Sequence, residues 1–203
     1  MKCIFLKPVR GFTLVELLVV LALFTTVITI ATGALFSAQA INTKLQQTQI
    51  ILDGVNLATE QMVRDIRYGS IFYCAASIPG SIPDRQNCAY PNGNTVLMFK
   101  PPTGLTANNS SNDRVVYYLS NGMVYRREYP EGVAGTAVQI TSSDVTIDKL
   151  LFYVKGAQST SASEYIQPVV TLVISGVTKP VQEYITPVRF SVETTISTRK
   201  LDN

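Results

Sequence analysis

The sequence predicts an α+β protein: a long N-terminal helix, membrane-spanning in its first half, followed by a head built on a mostly antiparallel β-sheet. Two patterns support this fold class. No proline interrupts the helical patterns between Gly11 and Ile78, and β-branched and aromatic residues with turn signals dominate from Ile71 onward. The connections between the predicted strands are too short for crossover helices, which favours antiparallel pairing.

The first half of the predicted helix is an uninterrupted apolar run. No charged side chain occurs at positions 17 to 43, between Glu16 and Lys44. A helix needs about 20 mostly apolar residues to cross a bilayer, so this run can span a membrane to about residues 36–40. Three basic residues precede the run and predict that the N-terminus stays in the cytoplasm and that the head lies outside it. They are Lys2, Lys7 and Arg10.

The second half of the helix has an amphipathic pattern. Apolar residues recur at helical spacing, and they are Ile51, Val55, Ala58, Met62 and Ile66. The charged residues that fall off this face are Asp53, Glu60, Arg64 and Arg67. We therefore expect one helix over residues 12–70 whose later part packs on a head formed by residues 71–203. Gly33 and Gly54 weaken it, and two helices joined near Gly33 are an alternative.

The clearest strands of the head flank Asn121-Gly122, in "RVVYYLSNGMVYRREY". An Asn-Gly pair between alternating strands predicts a hairpin with a two-residue turn. This register places Tyr118 opposite Tyr125 and Leu119 opposite Val124. The other predicted strands are Thr95–Lys100, Val138–Thr141, Val145–Lys155, Val169–Val177 and Tyr184–Thr198.

Composition argues against several classes of function. The chain has no histidine, which removes the commonest general base and metal ligand. Without the three basic residues of the N-terminus, the remaining 14 equal the 14 acidic residues, so no basic patch for nucleic acid is indicated. No phosphate-binding loop, nucleophile elbow or zinc motif occurs. We expect no enzyme activity, no cofactor and no metal.

Three polar features of the head have modest interpretations. The oxygen-bearing side chains of "DRQNCAYPNGN" lack EF-hand spacing, so a solvated loop is favoured over a calcium site; they are Asp84, Asn87, Asn92 and Asn94. N-x-S sequons at Asn108 and Asn109 indicate a turn-rich loop. Arg126 and Arg127, beside Glu128, are expected to be surface charges of a strand.

Three hypotheses account for the apolar run. In a secretory signal peptide, the A-x-A-like "SAQA" containing Ala38 and Ala40 would be cleaved, but the run is longer than a usual signal core. An ordinary single-span anchor explains length and orientation and leaves the segment from Gly11 to Glu16 unexplained. The third hypothesis is a segment that is processed and then polymerises.

The stretch Gly11-Phe12-Thr13-Leu14-Val15-Glu16, after a basic leader and before the apolar run, resembles the type IV prepilin processing motif. The resemblance implies a leader peptide of residues 1–11, cleaved between Gly11 and Phe12 by a prepilin peptidase at the cytoplasmic face of the membrane. It also implies N-methylation of Phe12.

Glu16 gains a role from this resemblance. A carboxylate at membrane depth costs about 2.5–3.5 kcal/mol on insertion scales, so such residues usually mark function. Cleavage would create an ammonium on Phe12, which can attract the Glu16 of another subunit in a low-dielectric filament and fix its axial register. A glutamate that merely reaches the membrane interface is the alternative.

Two looser matches refine the family. "ATEQMVRDIRYGS" and "VVYYLSNGMVYRRE" resemble the J-type minor pseudopilins of type II secretion and related minor pilins. This similarity implies a subunit that assembles into, or primes, a trans-envelope filament with other pilin-like subunits. The expected location is the bacterial inner membrane, with a single pass. The alternative function is a pilus-borne module whose head binds a surface or ligand.

The predicted topology also suggests a disulfide between Cys74 and Cys88. Both residues would lie outside the cytoplasm, where disulfides persist. Pro79 and Pro83 favour a turned-back path between them, while Cys3 belongs to the leader. Two free thiols are the alternative.

Overall fold

A computed structural model describes residues 11–106, 110–158, 167–179 and 187–199. One helix, α1, spans Leu14–Tyr68, and a 3-10 turn spans Pro130–Gly132. The strands in chain order are β1 Ser70–Ala75, β2 Val96–Lys100, β3 Arg114–Ser120, β4 Met123–Tyr129, β5 Ala137–Gln139, β6 Val145–Lys155, β7 Val169–Thr178 and β8 Arg189–Ser197. The predicted α+β layout, a long N-terminal helix followed by antiparallel strands, is confirmed.

The chain divides into two compact units, Met1–Gln46 and Gln47–Asn203. In the first unit the described residues form the start of α1 and the three residues before it, and nearly every side chain is exposed. In the second unit the later part of α1 shares the main hydrophobic core with strands of both sheets. The boundary falls within the helix, just after the apolar run ends.

The helix is continuous over 55 residues, so the alternative of two helices joined near Gly33 is wrong. A glycine costs about 1 kcal/mol relative to alanine in a helix interior, which weakens but does not break the hydrogen-bond ladder. Ala31, Ala34 and Leu35 are strong helix formers near Gly33, and no described atom lies within 4 Å of the place where its Cβ would be. Nothing in the described residues therefore forces a break there.

The later part of α1 buries the predicted stripe. Val55, Ala58, Met62 and Ile66 have at most 2% of their surface exposed. The side chain of Ile51 lies outside the described set. The four charged residues predicted to fall off this face are all exposed. Spacings of three and four residues thus placed the core-facing side of this helix correctly.

Five strands form one sheet in the order β1-β2-β3-β4-β5, and every ladder in it is antiparallel. The predicted hairpin register is confirmed, with Tyr118 opposite Tyr125 and Leu119 opposite Val124. One face of this sheet packs on the core through residues such as Phe72, Leu97 and Tyr117, which are at most 1% exposed. We call the opposite side the outer face.

Strands β6, β7 and β8 form a second antiparallel sheet rather than continuing the first. The sequence analysis predicted the antiparallel pairing but not this division into two sheets. The long segment between β1 and β2 connects the two sheets, because Cys88 and Asn94 exchange backbone hydrogen bonds with Val154 and Phe152 of β6. Non-local contacts of this kind leave no periodic signal in the sequence.

Strands differ from prediction by more than one residue in three places. β1 was not predicted, because it begins only two residues after α1 and is six residues long. β5 spans Ala137–Gln139 rather than Val138–Thr141. Thr141 contacts β4 through its side chain, because its Oγ1 accepts from the Val124 N–H at 3.1 Å. β8 begins at Arg189, after Pro187, which has no N–H to donate to a ladder. The earlier part of that prediction, residues 184–186, lies outside the described residues.

Candidate functional site

The helix begins with a capping arrangement that the sequence analysis missed. The Glu16 N–H donates to Thr13 Oγ1 at 3.3 Å, and the Leu17 N–H donates to the Thr13 carbonyl at 3.2 Å. Threonine followed three residues later by glutamate is the sequence signature of a capping box. The Thr-x-x-Glu spacing could have predicted this local role for Glu16 beside its proposed role in assembly.

Glu16 lies in the first turn of α1, where the helix dipole favours a negative charge. The first turn of a helix carries a partial positive charge, which stabilises a carboxylate there by about 0.3–1 kcal/mol. Glu16 is exposed, and it forms no salt bridge with any described residue. The helix start therefore suits a carboxylate at this position although no described cation pairs with it.

Gly11 and Phe12 lie just outside the helix and are open to an approaching enzyme. The Phe12 side chain is 80% exposed. A Cβ at Gly11 would meet no atom of the described residues within 4 Å. The described residues would therefore accommodate a larger side chain at position 11, and we expect any requirement for glycine to come from the peptidase pocket.

The helix from Leu14 to Gln46 is long and apolar enough to cross a membrane. It has 33 residues, a mean hydropathy of 2.5 in its most apolar window, and no buried side chain in that window. Its threonine hydroxyls donate back to helix carbonyls, as Thr29 does to Thr25 at 2.7 Å and Thr26 to Leu23 at 2.8 Å. Internal hydrogen bonds of this kind let a polar hydroxyl reside in hydrocarbon.

This geometry, an accessible glycine-aromatic pair before a capped glutamate and an exposed apolar helix, agrees with the comparison to protein families. The family described as prokaryotic N-terminal methylation motif matches residues 6–32. The chain carries a type IV prepilin-like N-terminal segment. No curated protein and no solved structure matches the chain.

The prepilin-type motif carries several consequences. It indicates a structural subunit of pilin type rather than an enzyme, and it implies processing by a prepilin peptidase and assembly with other pilins. Together with the apolar helix, it indicates a protein anchored by one pass in the inner membrane. The motif covers the N-terminal segment alone, so the role of the head must be argued from the head's own residues.

Cys74 and Cys88 lie at disulfide distance in this prepilin-like protein, with their Cα atoms 5.8 Å apart. Both are buried, at 0% and 6% exposure. Cys74 lies on β1 of the five-stranded sheet, and Cys88 pairs through its backbone with Val154 of the second sheet. A bond between the two sulfurs would therefore cross-link the two sheets beside the helix. Its presence in the protein stays a prediction.

Three of the four oxygen-bearing side chains considered for calcium in the same segment either form hydrogen bonds within the head or are exposed. The Asn87 side chain accepts from the Ala157 N–H at 2.8 Å and donates to Gln158 at 3.3 Å. Asp84 and Asn92 are exposed. Within the described ranges, no group of three or more histidine, cysteine or acidic residues is arranged to hold a metal ion. The sequons at positions 108 and 109 lie outside the described residues.

A polar cluster joins α1 to the five-stranded sheet, and sequence analysis missed it. Asp65 Oδ2 accepts from the Tyr117 hydroxyl at 2.7 Å and from Arg126 Nε at 3.0 Å. Arg126 also donates to Glu128. Arg126 is therefore not a surface strand charge, and that expectation is corrected. The hairpin register offered a signal, because it puts Arg126 on the same face as the core residue Val124.

The electrostatics of this cluster keep Arg126 charged and the Tyr117 phenol protonated. Burial lowers the pKa of Arg126, but its hydrogen bonds to Glu128 and Asp65 outweigh burial and raise that pKa above its ordinary value. Burial, and then the charge of Asp65, raise the pKa of the Tyr117 phenol, so this hydroxyl stays a donor. The cluster thus fastens the later helix to the sheet and is structural in character.

Proposed function

We propose that this protein is a minor pilin or pseudopilin that assembles into, or primes, a trans-envelope filament of the type IV pilus or type II secretion kind. One observation carries the proposal: a methylation motif at residues 6–32 leads directly into an apolar helix with no buried side chain in its most apolar window. A helix that is apolar on all sides needs lipid or other helices around it. A filament of packed N-terminal helices offers the second of these.

In this proposal the N-terminus acts in three steps. A prepilin peptidase removes residues 1–11 by cleaving between Gly11 and Phe12. The new Phe12 amine is then methylated. In the filament, the Glu16 carboxylate of an incoming subunit meets the Phe12 ammonium of its neighbour. Opposite charges attract strongly at low dielectric, so this pair selects one axial register.

The minor role rests on the head. Removal of the leader would leave most of the 203 residues in the mature chain. The late helix and the first hairpin resemble J-type minor pseudopilins, which supports an initiating or tip-proximal position over that of the bulk repeat.

The test separates the two functions that Glu16 can serve. Glu16→Gln keeps a side chain suited to a capping box and removes the charge, whereas Glu16→Asp keeps the charge. Thr13→Ala removes the cap and keeps the carboxylate. Each variant is expressed with its cognate assembly system, and leader cleavage, membrane insertion and filament incorporation are measured separately.

We expect Glu16→Gln to be cleaved and inserted but to enter filaments poorly, because only the charge pair is lost. Thr13→Ala should enter filaments far better than Glu16→Gln. If Glu16→Gln is incorporated like the wild type while Thr13→Ala is not, the glutamate is a helix cap and the register role is wrong.

A further inference from the structure

Two adjacent arginines on β4 have opposite environments. Arg126 points to the core side and is held by the carboxylates of Asp65 and Glu128. Arg127 lies on the outer face, opposite Val116 on β3. Its guanidinium carbon is 5.7 Å from the centre of the Tyr118 ring, within range of a cation–π contact. Among the described residues, Arg127 forms no salt bridge with any carboxylate.

The Arg127 side chain is only partly engaged within the described part of the chain. Its hydrogen bond to Tyr129 is the main cause that raises the pKa of Arg127 above its ordinary value. Its Nε atom is buried without an acceptor there, so a docking partner would contact the other guanidinium N–H groups. The side chain as a whole is half-buried, which leaves part of the guanidinium accessible.

Two tyrosine rings lie near Arg127 on the outer face. Tyr118 and Tyr125 pair across β3 and β4 with ring centres 5.7 Å apart and planes inclined by 21°. Both rings are half-exposed. Tyrosine and arginine are the residue types enriched at the centres of protein interfaces, because they present large contact area with polar ends.

Another part of the outer face is already covered. Val96, Met98 and Val116 are buried there beneath Ile78, which belongs to the segment between β1 and β2. The same segment continues to Ile82, whose side chain lies where a Cβ on Gly132 would be. This segment therefore covers part of the face, while Tyr118, Tyr125 and Arg127 lie beside it on β3 and β4. We call these three residues the tyrosine–arginine patch.

The charge of Arg127 indicates which kind of partner the tyrosine–arginine patch would bind. The other cations of the outer face, Lys100 and Arg114, interact electrostatically with the acidic residue Asp113. Arg114 also donates to the carbonyls of Ser111 and Asp113. Arg127 is thus the cation of this face that lacks an acidic neighbour among the described residues. A nucleic acid needs a groove of several cations along its phosphates, whereas one guanidinium matches one carboxylate.

We propose that the tyrosine–arginine patch is a docking site for an acidic segment of another protein, which presents a carboxylate to Arg127 and packs an apolar or aromatic neighbour on Tyr118 and Tyr125. The carboxylate would accept from the accessible guanidinium N–H groups of Arg127. This proposal stands on the head alone and holds whether or not the chain enters a filament.

The test uses the full chain purified in detergent and a random peptide library displayed on phage. Enriched peptides are synthesised, and their affinities are measured for the wild type, Arg127→Gln and Arg127→Lys. Lys155→Gln, which removes an exposed cation from β6 of the other sheet, is the matched control. A peptide with its acidic residue replaced by the amide gives a readout that does not depend on the folding of a variant.

We expect enriched peptides to carry an acidic residue beside an aromatic or apolar one. Arg127→Gln and the amide peptide should each weaken binding by about tenfold or more, because either change breaks a charge-assisted pair. Arg127→Lys should restore part of the affinity, and Lys155→Gln should change nothing. The proposal is overturned if no peptide is enriched, if enriched peptides lack acidic residues, if Arg127→Gln binds like the wild type, or if a single-stranded oligonucleotide displaces the peptide.

Discussion

The two halves of α1 share one secondary structure and have opposite surfaces. Between Glu16 and Lys44 the helix has no charged side chain, and nearly every side chain is exposed. From Val55 to Ile66 one stripe of apolar residues is buried, although Leu57 lies off that stripe and is exposed. Helix propensity alone therefore does not explain α1, because the two halves bury their apolar residues against different surroundings: a folded sheet in one case and, in our account, lipid or neighbouring helices in the other.

Each half also carries a carboxylate, and the two are satisfied differently. Asp65 is paired within its own chain, by the Tyr117 hydroxyl and Arg126. Glu16 has a capped backbone N–H, but its carboxylate forms no salt bridge with a described residue. In our account, a second subunit supplies the partner that the carboxylate of Glu16 lacks among the described residues.

The largest expected effect is a loss of stability from truncating the buried half. Ile66→Ala should lower the free energy of unfolding of the head by about 2–5 kcal/mol, because a fully buried side chain leaves a cavity. Ile30→Ala is the matched control in the apolar half, where Ile30 is 74% exposed. It should change that free energy by less than about 0.5 kcal/mol.

Urea unfolding of the full chain in detergent, followed by near-ultraviolet circular dichroism, measures both variants. Equal effects of the two truncations would remove the distinction between the halves. It would mean that the head depends on the apolar segment for its fold.

The cysteines also differ between the two ends of α1. Cys3 precedes the apolar half, and Cys74 and Cys88 follow the buried half. Replacing Cys74 and Cys88 by serine should lower the free energy of unfolding by about 3 kcal/mol, the chain-entropy value for a loop of this size. Thiol labelling of denatured, unreduced protein from membranes checks the bridge directly. Two reactive thiols in the mature chain would show that packing alone holds this segment.

A smaller effect is expected from the polar contact of the buried half. Tyr117→Phe removes the hydrogen bond to Asp65 and should lower the free energy of unfolding by about 1 kcal/mol. The same urea titration measures it, and filament incorporation should be unchanged. An unchanged free energy would mean that Arg126 alone suffices to hold Asp65.

Local patterns predicted most of this fold. Three- and four-residue spacings identified the buried stripe of α1, and Asn121-Gly122 fixed the register of β3 and β4. β1 was missed because it follows directly after the helix, where Gly69 brings the backbone close to the Phe99 ring. The split into two sheets depends on contacts between distant segments, which no local pattern records.

The candidate site was predictable where its signal is local. The glycine, aromatic and glutamate of the processing motif stand within six residues, and the family match confirms a prepilin-type N-terminus at residues 6–32. The Asp65–Arg126 pair joins residues 61 positions apart, so only the fold reveals it. The environment of Arg127 likewise depends on the fold, because the segment around Ile78 covers part of the outer face.

The central claim is that the first half of α1 is the processed, assembly-competent end of a prepilin. Its most direct test is the intact mass and N-terminal fragment spectrum of the chain expressed with a prepilin peptidase. The account predicts a mature protein that begins at Phe12 and carries one N-methyl group, and a Gly11→Val variant that keeps its leader. A mature chain that still begins at Met1, or one that begins after Ala40 as a secretory signal cleavage would leave it, would contradict the account.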